Sequence, residues 1–88
     1  MNTRIKLNHV FQPFAGHCET VEVLGNTVRE CLDTLIGLYP VFREILYDAD
    51  GILQVLVFYC NELVVLDDLD RPVSESCELS LTPMIQGG

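Results

Sequence analysis

The chain opens on an alternation. Through residues 4–11 polar and apolar side chains take turns, beginning Arg4, Ile5, Lys6, Leu7, Asn8. A period of two predicts a half-buried strand with Ile5 and Leu7 inward. Pro13 and Gly16 make residues 12–17 a loop. Alternation returns at Glu19, Thr20, Val21, Glu22, Val23, which predicts the second arm of a hairpin with Val21 and Val23 inward. The period then changes. After Gly25-Asn26, the run Thr27-Val28-Arg29-Glu30 reads as a capping box with Thr27 as N-cap. Val28, Cys31, Leu32, Leu35 and Ile36 follow at helical spacing and predict one apolar face over residues 27–38. Phe42, Ile45 and Leu46 predict a short second helix, and residues 48–51 a turn.

Residues 52–60 are apolar almost throughout, so this strand can bury either face. One face carries Leu56, Phe58 and Cys60, the other Val55, Val57 and Tyr59. With the first set turned toward the helix, the second is left on the open face beside Arg4, Lys6, Ser80 and Thr82. That makes Val55, Val57 and Tyr59 the expected partner-binding patch. Asn61-Glu62 turns the chain into a short strand at residues 63–66, and an acidic loop follows at 67–72. Residues 77–82 alternate again, with Leu79 and Leu81 inward. The expected core is Ile5, Leu7, Val21, Val23, Val28, Leu32, Leu35, Phe58, Leu79 and Leu81. Pro83 has no N–H to give a sheet and marks where the backbone leaves the fold. Met84, Ile85, Gln86, Gly87 and Gly88 then form an expected flexible tail, which together with the patch at Val55, Val57 and Tyr59 makes up the expected partner-binding residues. It reaches roughly 17 Å at about 3.3–3.6 Å per residue, and its terminal glycines are slim enough for a narrow slot.

Composition narrows the function. Eighty-eight residues, 49% hydrophobic and 20% charged, make one small globular domain. The formal charge of −8 lacks the basic footprint of a nucleic-acid binder and suits steering toward a basic partner. There is no membrane-length apolar run and no signal-like opening, so the expected location is the cytoplasm. Cys18, Cys31, Cys60 and Cys77 form no C-x-x-C, so reduced and mostly buried thiols are the expectation. His9 and His17 have no partner at a metal-ligand spacing, and Asp48 and Asp50 lack the rest of a calcium loop. No metal site is expected, and no spacing points to a nucleophile with its base. The candidate chemistry rests with the carboxylate of Gly88.

The order is hairpin, main helix, strand, short strand, strand. It predicts an α+β roll with a mixed sheet of four to five strands on one main helix, the β-grasp arrangement of ubiquitin, over residues 1–83. The chain resembles the MoaD/ThiS family of prokaryotic ubiquitin-like sulfur carriers. The likeness lies in the opening Thr3-Arg4-Ile5-Lys6-Leu7, in Gly25-Asn26-Thr27-Val28, in Tyr59-Cys60-Asn61-Glu62, and above all in Glu78-Leu79-Ser80-Leu81-Thr82-Pro83 followed by Gly87-Gly88. Three positions depart from the family's habit. Cys60 stands at an inward position usually held by valine. Glu75-Ser76-Cys77 replaces an Asp-Gly-Asp turn, where serine tolerates positive φ less well than glycine. Gln86 replaces a small residue.

The resemblance implies a carrier rather than an enzyme. In such proteins an E1-like adenylating enzyme uses ATP and Mg²⁺ to activate the terminal carboxylate, here that of Gly88. A sulfur donor then converts it to a thiocarboxylate. The carrier itself binds no cofactor. The implied acceptors are a molybdopterin synthase large subunit, a thiazole synthase or a cysteine synthase. The same activated tail would serve a ubiquitin-like modifier joined to lysines through Gly88. A β-grasp interaction domain with an idle tail is the third reading.

Overall fold

The computed structural model describes residues 2–84. The expected tail residues Ile85, Gln86, Gly87 and Gly88 lie outside them. Five strands form one mixed sheet: β1 Asn2–Leu7, β2 Thr20–Leu24, β3 Val55–Tyr59, β4 Glu62–Val64 and β5 Leu79–Pro83. The spatial order is β2-β1-β5-β3-β4. β1 and β5 run parallel in the middle, with Ile5 opposite Leu79 and Leu7 opposite Leu81. The outer pairs β1–β2 and β3–β4 and the inner pair β3–β5 are antiparallel. One face of the sheet is covered by α1, Val28–Leu38, and by the shorter α2, Phe42–Leu46. This is the α+β β-grasp roll read from the element order.

Helix α1 forms where the period of the sequence changes. Thr27 Oγ1 accepts from the Glu30 N–H at 3.2 Å, while Glu30 Oε1 accepts from the Asn26 N–H at 2.9 Å, one residue earlier than in the usual box. The remaining N-terminal donors meet the acidic loop: Val28 N–H and Arg29 N–H donate to the carbonyls of Arg71 and Leu69. The expected acidic loop is therefore packed onto the start of α1, with Leu69 fully buried in it. Gly25 admits no side chain, because a Cβ there would stand 2.8 Å from the Cys31 amide nitrogen.

Val28, Cys31, Leu32, Leu35 and Ile36 are all buried, as their spacing predicts. They meet Ile5, Leu7, Val21, Val23, Leu79 and Leu81 from the sheet. Phe42 joins them, with its ring edge-on to Phe11 and Tyr39 at centroid distances of 6.4 and 6.5 Å. Phe58 is only half-buried and is not part of this core.

The β3–β4 hairpin turns at Cys60-Asn61, one residue earlier than expected, with both residues at positive φ, 53° and 66°. That is the handedness a two-residue hairpin requires. Ser76 is not among the positive-φ residues, so its replacement of glycine carries no backbone strain. Pro83 is the last residue of β5 rather than the first beyond it, lying opposite Val55. β1 has already turned away there, its last pair with β5 being Leu7 and Leu81.

Candidate functional site

The face of the sheet turned away from the helices is set by register. Antiparallel residues directly opposite one another share a face. Val57 lies opposite Leu81, and Tyr59 opposite Leu79. Leu79 and Leu81 point into the core, so Val57 and Tyr59 must as well. Val55, Val57 and Tyr59 are 5%, 0% and 9% exposed. The expected docking patch on these three residues is therefore incorrect. The phase of the strand is opposite to that expectation, because a strand apolar on both faces leaves the choice to its neighbours. Tyr59 tolerates burial because its hydroxyl accepts from the Ser74 N–H at 2.8 Å.

The open face carries the alternate set. Leu56 lies opposite Thr82, and Phe58 lies between Ser80 on β5 and Leu63 on β4. Leu56 and Phe58 are half-buried and Leu63 is exposed. Across β5 stands Lys6, opposite Ser80, with Arg4 on the same face of β1. Arg4 lies 3.7 Å from Glu78. The expected neighbours Arg4, Lys6, Ser80 and Thr82 thus do share a face, but around Leu56, Phe58 and Leu63. The signal for this was present in the polar Ser80 and Thr82, whose partners in an antiparallel ladder had to be the open-face residues of β3. β5 delivers the backbone to Pro83 and then to exposed Met84 at the rim of this surface. Gly88 and the three residues before it, proposed as the chemical end of the molecule, lie beyond the described residues.

The cysteines depart from expectation. Cys60 and Cys77 form a disulfide, with Cα atoms 5.3 Å apart. Both lie among the positions named above as departures from the family that the chain resembles, and the bridge gives these two cysteines one structural role. Cys60 is exposed in the hairpin turn rather than inward, and Cys77 is half-buried. Cys18 is free and exposed. Cys31 alone is fully buried, and burial pushes its thiol pKa up, partly opposed by the neighbouring Thr3 hydroxyl. That favours the protonated, unreactive form.

The remaining candidates stand apart. His9 and His17 are exposed. Asp48 Oδ1 accepts from the N–H groups of Asp50 and Ile52, closing the expected turn. Among the described residues no three His, Cys, Asp or Glu side chains gather in a way that would hold a metal ion. No helix among them is long and apolar enough to cross a membrane.

No protein-family model matches the chain, and no curated protein matches it. Solved structures do. SAMP1 of Haloferax volcanii superimposes with a TM-score of 0.83 at 28% identity, covering 100% of both chains. The CysO of Mycobacterium tuberculosis, described as an antigen, gives a TM-score of 0.84 at 20% identity over 96% of this chain and 100% of its own. The BexX/CysO complex of Amycolatopsis orientalis gives 0.83 at 21% identity, over 98% and 99%. The resemblance to the MoaD/ThiS-type ubiquitin-like proteins thus extends to the whole described fold.

Proposed function

We propose that this chain is a ubiquitin-like sulfur carrier whose working group is the carboxylate of Gly88. The observation that carries the reading is the placement of β5. The strand lies at the centre of a β-grasp sheet and ends at Pro83 beside an apolar open face, five residues ahead of Gly88. A free carboxylate is a poor electrophile. In the proposed sequence a carboxylate oxygen attacks the α-phosphorus of ATP bound by an adenylating partner enzyme, and Mg-pyrophosphate leaves. Hydrosulfide then attacks the carbonyl carbon and displaces AMP, leaving a thiocarboxylate. The carrier supplies reach, slimness and a grip. Leu56, Phe58 and Leu63 supply the apolar part of that grip, with Arg4 and Lys6 at its side.

The likeness to SAMP1, a protein named a small archaeal modifier, favours a second reading. There the activated Gly88 carbonyl is taken by a lysine amine of a target protein. The crystallised BexX/CysO complex shows a β-grasp protein of this shape held by another protein, and supports a partner-dependent role. Intact-protein mass spectrometry after incubation with ATP, the adenylating enzyme and a sulfide source tests the first reading. Wild type gains the mass difference between sulfur and oxygen on its C-terminal fragment, and a variant lacking Gly88 does not. Equal gain by the deletion variant, or gain on a cysteine, rejects the role of Gly88. Isopeptide-linked ladders in lysates would select the modifier reading.

A further inference from the structure

A narrow apolar groove of about 240 Å³ opens at the β3–β4 edge. Its walls include Ile52, Leu56, Leu63, Val65, Leu66 and Met84. It exists because β4 is only three residues long: Val64 is its last residue, and the chain then passes into the 3-10 turn Leu66–Asp68 while β3 continues to Val55. Ile52, Leu63, Val65 and Met84 remain 42–54% exposed, a concentration of apolar surface seldom left free without use. The volume falls below the roughly 300–1,000 Å³ of small-molecule sites and suits one bulky side chain. Asp67 adjoins Leu66 in sequence, Asp50 stands two residues before Ile52, and neither is in an ion pair among the described residues.

We propose that this edge groove is an anchor point for the enzyme that acts on Gly88, accepting one large aliphatic or aromatic side chain flanked by Lys or Arg. The inference rests on the carrier reading and extends its docking surface from the open face, through the shared Leu56 and Leu63, to the sheet edge at Ile52, Val65 and Met84. Its position selects the occupant. Met84 both lines the groove and begins the segment leading to Gly88, so an enzyme filling the groove lies against the base of the segment it must thread. The net charge of −8, with Asp50 and Asp67 close in sequence to the lining residues Ile52 and Leu66, selects a basic flank. An anchor remote from the reacting carbon contributes binding energy alone, so its loss appears in affinity and KM rather than in kcat.

The test is isothermal titration of the full chain against the purified adenylating enzyme of the same organism, with ATP–pyrophosphate exchange measured in parallel. Ile52→Asp and Val65→Asp are each expected to weaken binding by about tenfold or more, as loss of a buried anchor does. Asp67→Lys weakens it by a smaller factor that shrinks as salt rises. Leu24→Asp, at the far edge of the sheet, leaves it unchanged. Unaltered melting temperature qualifies each variant, and Ile52→Ser and Val65→Ser replace any that fail to fold. Folded groove variants that bind as wild type does overturn the groove and leave the carrier reading standing. Binding by wild type without exchange, with groove variants weakened, upholds the groove and rejects the carrier reading. Absence of any binding by wild type overturns the inference.

Discussion

Cys60 and Cys77 are joined across a sequence separation of 17, tying the β3–β4 turn to the loop that enters β5. The bridge encloses β4, Leu69 and the loop segment that caps α1. Closing a loop of about 15 residues contributes roughly 3 kcal/mol in the chain-entropy account. Replacing both cysteines by serine should lower stability by about that amount while leaving the fold intact. Urea unfolding of wild type with and without reductant checks this, because reduced wild type should match the double variant.

Val57 and Phe58 are neighbours on opposite faces, and their substitutions should separate folding from docking. Val57→Asp places a charge among Leu81, Val64 and the helix, where no partner awaits it, and should abolish the cooperative thermal transition. Phe58→Asp lies on the open face and should leave the transition in place while weakening activation by the adenylating enzyme. Circular dichroism and ATP–pyrophosphate exchange read the two effects independently.

Cys31 and Tyr47 should make the fold sensitive to alkali. Burial raises the pKa of both groups, and nearby carboxylates add to the shift. A raised folded-state pKa means that the folded chain holds the proton more tightly. The stability it contributes is complete below the unfolded value and is lost as pH rises through the folded one. Urea midpoints should therefore begin to decline as pH rises above about 8.5, the ordinary thiol value. Cys31→Ala should show a shallower decline, whatever its midpoint at neutral pH.

The elements were legible where a single period dominated. Val28, Cys31, Leu32, Leu35 and Ile36 declare one helical face, and the alternation at Ile5 and Leu7 or at Leu79 and Leu81 has only one buried phase. β3 was not legible in this way, since Val55 through Tyr59 offers an apolar side chain on either face. Only its register against Ser80 and Thr82 resolves the phase, and register is a property of two strands together. The disulfide was hidden for a similar reason. Cys60 and Cys77 share no local spacing and meet only after the hairpin and β5 have folded. The edge groove arises from the place where β4 stops, and strand ends are written weakly in a run such as Leu63-Val64-Val65-Leu66.

The parallel pairing of β1 with β5 has a consequence for how the chain reaches this state. Ile5 and Leu79 sit nearly at opposite ends of the described chain, yet they form the middle of the sheet. Such non-local contacts return energy only after a long loop has closed, so they slow folding relative to helical proteins of similar size. The β1–β2 hairpin and α1 can assemble early from local contacts. Until β5 arrives, however, β1 presents an unpaired backbone edge along with Ile5 and Leu7. During that interval the half-formed sheet is open to strands of other chains, and the yield of native protein should fall as refolding concentration rises.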